Sequence, residues 1–312
     1  MKVAIDDSPR TGVPHASDRR RAAWLTRTLR EIGPRWARDI GAAGDETKAL
    51  YLPLLQAAPR AGIGITRDLA YGAHPRQVLD IYRPAGARAA PVLAFVHGGA
   101  FVRGSKDTNA QMYGNVLTWF ARQGWIGVNI EYRLAGDAPY PGGALDVAAA
   151  CAWMETHIAE HGGDPARVCL LGHSAGGTHA ATYACDPALD AVRRPLAGLV
   201  LVSARVRADV SPANPNAAGV RAYFGSAYER VSPVTHAARM TVPTFIVNAE
   251  FENPLLDLYG LEFALALARA RGHAPLHVTM ADHNHVSIMA HFNTPEQLLG
   301  EMILDFFEHA CG

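Results

Sequence analysis

Neither sign of charge dominates this chain. Its 29 Lys and Arg are matched by 29 Asp and Glu over 312 residues, which argues against nucleic acid or an anionic membrane as its main partner. Cysteine is scarce. Cys151, Cys169, Cys185 and Cys311 share no CxxC or zinc-ligand spacing, and three of the four sit in apolar periodic stretches where a buried reduced thiol is the plainer reading. No apolar run approaches the roughly 18 residues needed to span a bilayer. Met1-Lys2-Val3-Ala4-Ile5-Asp6-Asp7 lacks the apolar core of a secretion signal. Arg19-Arg20-Arg21 is followed by Leu25-Thr26-Arg27, where twin-arginine export needs a long apolar segment. The expectation is a cytoplasmic protein. Internal repeats and low-complexity tracts are missing as well. What remains is ordinary globular composition, 49% hydrophobic and 19% charged, far from disorder. A chain of this length buries about three quarters of its unfolded surface and needs no metal or disulfide to hold a core.

The apolar residues set the organisation. Leu25, Leu29, Ile32, Trp36 and Ile40 recur at three- and four-residue spacing, so the stretch from Ser17 to Pro59 reads as helix broken at Gly33-Pro34. The arginines between them read as a solvated face. Residues 1–62 are therefore expected to form an N-terminal helical cap segment on a main domain of residues 63–312. From Gly64 the period changes. Strands are expected at 64–71, 77–82, 91–96, 127–132, 168–171, 196–202, 243–247 and 276–280. Helices are expected at 109–122, 143–157, from Ser174, at 255–270 and at 294–309. Such alternation implies a mostly parallel central sheet flanked by helices, joined by right-handed crossovers. Residues 205–239 lack a clear period and are too long for a plain connection, so they read as a short lid over a site.

Two motifs carry chemistry. Gly172-His173-Ser174-Ala175-Gly176 follows a strand and opens a helix. The glycines leave room for a sharp turn that holds Ser174 strained and exposed, as a nucleophile requires. His97-Gly98-Gly99-Ala100-Phe101 follows the most apolar strand. Attack on a carbonyl puts negative charge on its oxygen, and the amides of Gly98 and Gly99, joined by that of Ala175, suit an oxyanion hole. His97 reads as a structural hydrogen-bonding residue.

With these motifs stand Tyr132-Arg133-Leu134-Ala135, Pro141 ahead of Asp146, and Gly162-Gly163-Asp164-Pro165-Ala166-Arg167 before the elbow strand. Together they resemble the α/β-hydrolase superfamily over residues 64–310. Within it, the chain is similar to hormone-sensitive-lipase-like carboxylesterases and kynurenine-formamidase-like hydrolases. Ala100 departs from the usual third glycine of the oxyanion loop, narrowing the space beside it. A serine needs a base and an acid to orient that base. The resemblance puts the acid after the next-to-last strand, on Glu252 in place of the usual Asp, with Glu250 and Asp257 as alternatives. It puts the base in Asp282-His283-Asn284-His285-Val286-Ser287, on His285 and not His283, because the relatives' histidine precedes an apolar residue. Two histidines two apart, with no third ligand at a supporting spacing, do not make a metal site.

The resemblance implies a cofactor-free serine hydrolase with a Ser174–His285–Glu252 triad acting on small carboxylic esters. An arylformamidase and a non-catalytic ligand-binding protein on the same scaffold are the alternatives. Phe101, His173, Tyr223, Phe224 and Tyr228 are expected to line an aromatic, apolar substrate pocket. No arginine is tied by motif to the elbow, so short uncharged acyl groups are expected. The oligomeric state is left open, a homodimer included.

Overall fold

The computed structural model describes residues 16–109 and 111–311. The leader reading of Met1–Asp7 lies outside them. Two helices come first, α1 (Ala16–Ile32) and α2 (Ile40–Ala57), with a tight helical turn at Gly33–Arg35 where Pro34 interrupts the pattern. There follow β1 (Ile63–Ala70), β2 (Val78–Pro84), β3 (Ala90–Val96), α3 (Gly114–Arg122), β4 (Ile126–Ile130) and α4 (Gly142–His157). Next are β5 (Gly163–His173), α5 (Ala175–Cys185), β6 (Gly198–Val202), α6 (Ala217–Phe224), β7 (Thr244–Phe251) and α7 (Leu256–Arg271). The described chain closes with β8 (Leu276–Asn284), α8 (Ser287–Ala290) and α9 (Leu298–Cys311).

The strands form one 8-stranded sheet in the order β1-β2-β4-β3-β5-β6-β7-β8. β1, β2 and β4 are joined antiparallel, and every pairing from β4 to β8 is parallel. This is the α/β-hydrolase fold. The central strands bury both faces, which is why they read as unbroken apolar runs. On β3, Val92, Ala94 and Val96 face a core shared with α4, α5 and α7. Leu93 and Phe95 face the opposite core, with α3, α9 and the N-terminal helices. Among the described residues no helix is long and apolar enough to cross a membrane.

Several boundaries differ from the sequence expectation. β5 begins at Gly163, not Val168, because its polar first turn still pairs with β3 while Asp164 and Arg167 bridge at 2.9 Å. β7 and β8 run on to Phe251 and Asn284 through polar residues that keep the ladder. α3 starts at Gly114, since the Asn109 side chain accepts the amides of Gln111 and Met112 and holds a turn there. The aperiodic stretch 205–239 contains α6. Arg30, read as part of a solvated face, is exposed and also makes two bonds to Asp282, at 2.6 and 3.0 Å.

Candidate active site

β5 and α5 meet at Ser174, whose φ of 54° and ψ of −120° lie where L-residues are strained. Crowding dictates the glycines around it. A Cβ on Gly172 would meet Gly177 Cα at 2.6 Å, and one on Gly176 would collide with the carbonyls of Val96 and His97. Ser174 N–H donates to Val202 O at 3.0 Å, so the turn is tied to β6 as well.

The parallel sheet delivers the partners to the same edge. Glu252 directly follows β7 and His285 directly follows β8, at the strands' carboxyl ends where sites in such sheets assemble. His285 Nδ1–H donates to Glu252 Oε2 at 2.8 Å, which leaves Nε2 to accept from Ser174 Oγ at 3.1 Å. The other Glu252 oxygen accepts from Ala249 N–H at 2.9 Å. Burial works against the Glu252 charge, yet His285, the Ser203 hydroxyl and the Ala249 amide outweigh it and hold the carboxyl below its ordinary value. Ser203 Oγ has no partner of good geometry among the described residues, so it acts there as a nearby dipole. The alternatives point elsewhere. Glu250 accepts the Asp282 amide at 2.7 Å. Asp257 is exposed in the first turn of α7. His283 Nδ1 pairs with Ser287 Oγ at 3.1 Å, its ring lies 4.8 Å from that of His291, and burial lowers its pKa to about 4.

Gly98 packs against Ser174, where a Cβ would stand 3.1 Å from the serine's own. Gly99 has φ of 149° and lies over the Arg103 carbonyl, which leaves no room for a side chain. Ala100 (φ 51°) and Phe101 (φ 71°) continue this left-handed path with residues that L-stereochemistry disfavours there. The loop is held by His97, which is buried between the Gly98 carbonyl at 2.7 Å and Glu131 at 3.1 Å and stacks on Tyr132.

The expected pocket residues are distributed differently. His173 is buried, and burial with its neighbour His285 keeps it neutral. Its Nε2–H donates to the His285 carbonyl at 3.0 Å, and its Nδ1 accepts from the Tyr113 hydroxyl at 3.3 Å. That engagement makes it a brace for the His285 turn, and Tyr113 had no motif to reveal it. Phe101, Tyr223 and Phe224 are buried in one cluster with Ala175, Phe101 stacked on Tyr223 at 5.0 Å, and Tyr228 is half-buried at its edge. Among the described residues no three His, Cys, Asp or Glu side chains gather in a way that could hold a metal.

The N-terminal segment clasps the turns that carry Glu252 and His285. Gly33 lies flat against the Phe251 ring. Trp36 Nε1–H donates to Asn253 Oδ1 at 3.0 Å, and its ring lies 6.4 Å from that of His285. Thr47 Oγ1 accepts from Asn284 Nδ2 at 2.9 Å. These contacts land on the residues flanking Glu252 and His285. Trp36→Phe keeps an aromatic ring but loses the pyrrole ring with its N–H donor to Asn253. It should lower kcat about tenfold and leave KM within about twofold, the pattern of a displaced catalytic group. Steady-state kinetics beside a melting curve check this, and a change confined to KM would contradict it.

Comparison with known proteins finds this chain similar to esterases. Residues 79–195 match the BD-FAE family. Esterase LipC of Mycobacterium tuberculosis is 42% identical over 113 residues, 36% of this chain and 27% of that protein. Acylcarnitine hydrolase of Mus musculus is 39% identical over 122 residues, 35% of this chain and 21% of that protein. The matched segment thus spans about a quarter of the curated relatives' length. Among solved structures, an esterase of Pyrobaculum calidifontis superposes with a TM-score of 0.69 at 19% identity, covering 93% of this chain and 99% of that one. At that identity the likeness speaks for the fold.

Proposed function

We propose that this chain, a member of the esterase- and lipase-like α/β-hydrolase superfamily, hydrolyses small carboxylic esters with short acyl chains through an acyl-enzyme. One observation carries the reading. Ser174 Oγ, the His285 ring and the Glu252 carboxylate form an unbroken chain of 3.1 and 2.8 Å hydrogen bonds beside the Gly98–Gly99 loop. In this reading His285 Nε2 takes the serine proton as Oγ bonds to the ester carbonyl carbon. The amides of Gly98, Gly99 and Ala175 receive the oxyanion. Collapse breaks the bond to the alcohol oxygen, which leaves with the proton from His285. Water then adds with its proton passing to His285, the bond to Oγ breaks, and the acid departs with Ser174 restored. Glu252 keeps Nδ1 protonated throughout, so that Nε2 remains the accepting nitrogen.

Packing supports the short acyl chain. The aromatic side chains of the oxyanion loop and the 205–239 stretch spend their surface on one another, leaving little for a long chain to cover, which suits acyl groups of about two to six carbons. Neutral esters of rising length test this. kcat/KM should climb from acetyl to butyryl and fall beyond octanoyl, with Ser174 labelled by a fluorophosphonate. A preference for long chains would refute the pocket argument, and absence of both labelling and ester turnover would refute the enzyme. A formanilide run alongside separates the arylformamidase reading, which uses the same triad with a different leaving group.

A further inference from the structure

Arg205 begins the 205–239 stretch, and the structure sets it beside the elbow, where no motif had tied an arginine. Its backbone N–H reaches the Ser174 carbonyl at 3.4 Å, and its carbonyl accepts the Thr178 hydroxyl of α5 at 2.7 Å. Only 3% of the residue is exposed. A guanidinium brings five N–H donors, and burying them unmet is costly. Here Nη1 finds Asp209 Oδ2 at 3.3 Å, while Nη2 is buried with no partner among the described residues.

The compensation from Asp209 is thin. The same carboxylate accepts the Tyr259 hydroxyl at 2.6 Å, the Ser211 hydroxyl at 2.6 Å and the Ser211 amide at 2.9 Å. The guanidinium carbon stands 5.9 Å over the Tyr259 ring, which shields it from water on that side. Glu252 is the other carboxylate whose charge acts on it, but that group is already committed to His285 and Ala249. A half-satisfied planar donor fork, on a residue whose backbone N–H reaches the Ser174 carbonyl, is of the kind that reads carboxylates.

We infer that Arg205 recognises a carboxylate on the acyl part of the substrate, so that the preferred substrates are half-esters of short dicarboxylic acids. This rests on the esterase reading and narrows it. The unpartnered Nη2 of the guanidinium would donate to the distal carboxylate while the ester carbonyl lies at Ser174. Asp209 would hold the opposite edge and fix the plane of the fork. The acyl group stays within the short range already proposed, with its end charged in place of apolar.

The test compares monoethyl succinate and monoethyl glutarate with their ω-amides, which match them in shape but carry no charge. Hydrolysis is followed by release of ethanol. In the wild-type protein kcat/KM for at least one acid should exceed that for its amide by about 10- to 100-fold, the scale of a charge-assisted hydrogen bond. Arg205→Gln should bring that ratio close to one, and Arg205→Lys should keep part of it by retaining the charge. If the Gln variant does not fold, the wild-type ratio and the Lys variant still decide. Turnover of the amides at least equal to that of the acids in wild-type protein overturns the inference, as does an unchanged ratio in folded Arg205→Gln. Failure of the esterase reading looks different: no ester of either kind is hydrolysed and Ser174 is not labelled by a fluorophosphonate.

Discussion

Ser174→Ala protein should fold like the wild type and lose about a millionfold in kcat, and His285→Ala should lose as much, because members of a triad act as a unit. The two differ in stability. The Ser174 hydroxyl is bonded to His285 alone among the side chains described, so its removal leaves no buried group stranded. Removing His285 takes the donor from a buried carboxylate. A hydrogen bond to a charged group contributes about 1.5–3 kcal/mol, so His285→Ala should melt below Ser174→Ala while both are inactive. Fluorophosphonate labelling, single-turnover kinetics and thermal melts read these outcomes. Activity lost in His283→Ala but largely kept in His285→Ala would move the base to His283.

Glu252→Gln should lower kcat about ten-thousandfold, the size of the matching Asp→Asn change in the chymotrypsin triad. The cause is the tautomer. A side-chain amide can donate to Nδ1, which moves the ring proton to Nε2 and turns it toward the serine it should deprotonate. Glu252→Asp keeps the charge with a shorter reach and should recover part of the loss. A change under about tenfold in Glu252→Gln, with a large one in Glu250→Gln or Asp257→Asn, would move the acid to that neighbour. The lowered pKa of Glu252 also fixes a sign. Its charge favours the folded state above the ordinary value of 4.5, and that contribution is lost as pH falls through the lowered folded value. Wild-type stability therefore drops more steeply on acidification than that of Glu252→Gln.

The turns at Ser174 and at Gly98–Gly99 were legible because their signals are local. Gly172, Ser174 and Gly176 sit within five residues, and the strand before Gly98 is apolar on both faces, so neighbours in sequence are neighbours in the site. Arg205 was not legible. A buried arginine looks in sequence like any solvated one, and its burial comes from the Ser174 carbonyl and Tyr259, on distant elements. Tyr113 and Trp36 were missed for the same reason: the bond from Trp36 to Asn253 spans 217 residues, and no period or motif reports a contact of that range. The ends of β7 and β8 were misplaced because ladder bonds continue through polar residues once the apolar signal has stopped.

The clasp of the N-terminal segment has a consequence for how the protein is made. Arg30 meets Asp282, Thr47 meets Asn284 and Trp36 meets Asn253, so helices that leave the ribosome early wait for the last strands of the sheet. Contacts of such separation form late and at a large entropic cost. During synthesis the sheet can begin to assemble from β1 onward, but the turns that carry Glu252 and His285 gain all of their outer support only once residue 285 has emerged. A nascent chain would then carry a formed turn at Ser174 well before it carried the Ser174–His285–Glu252 hydrogen-bond chain.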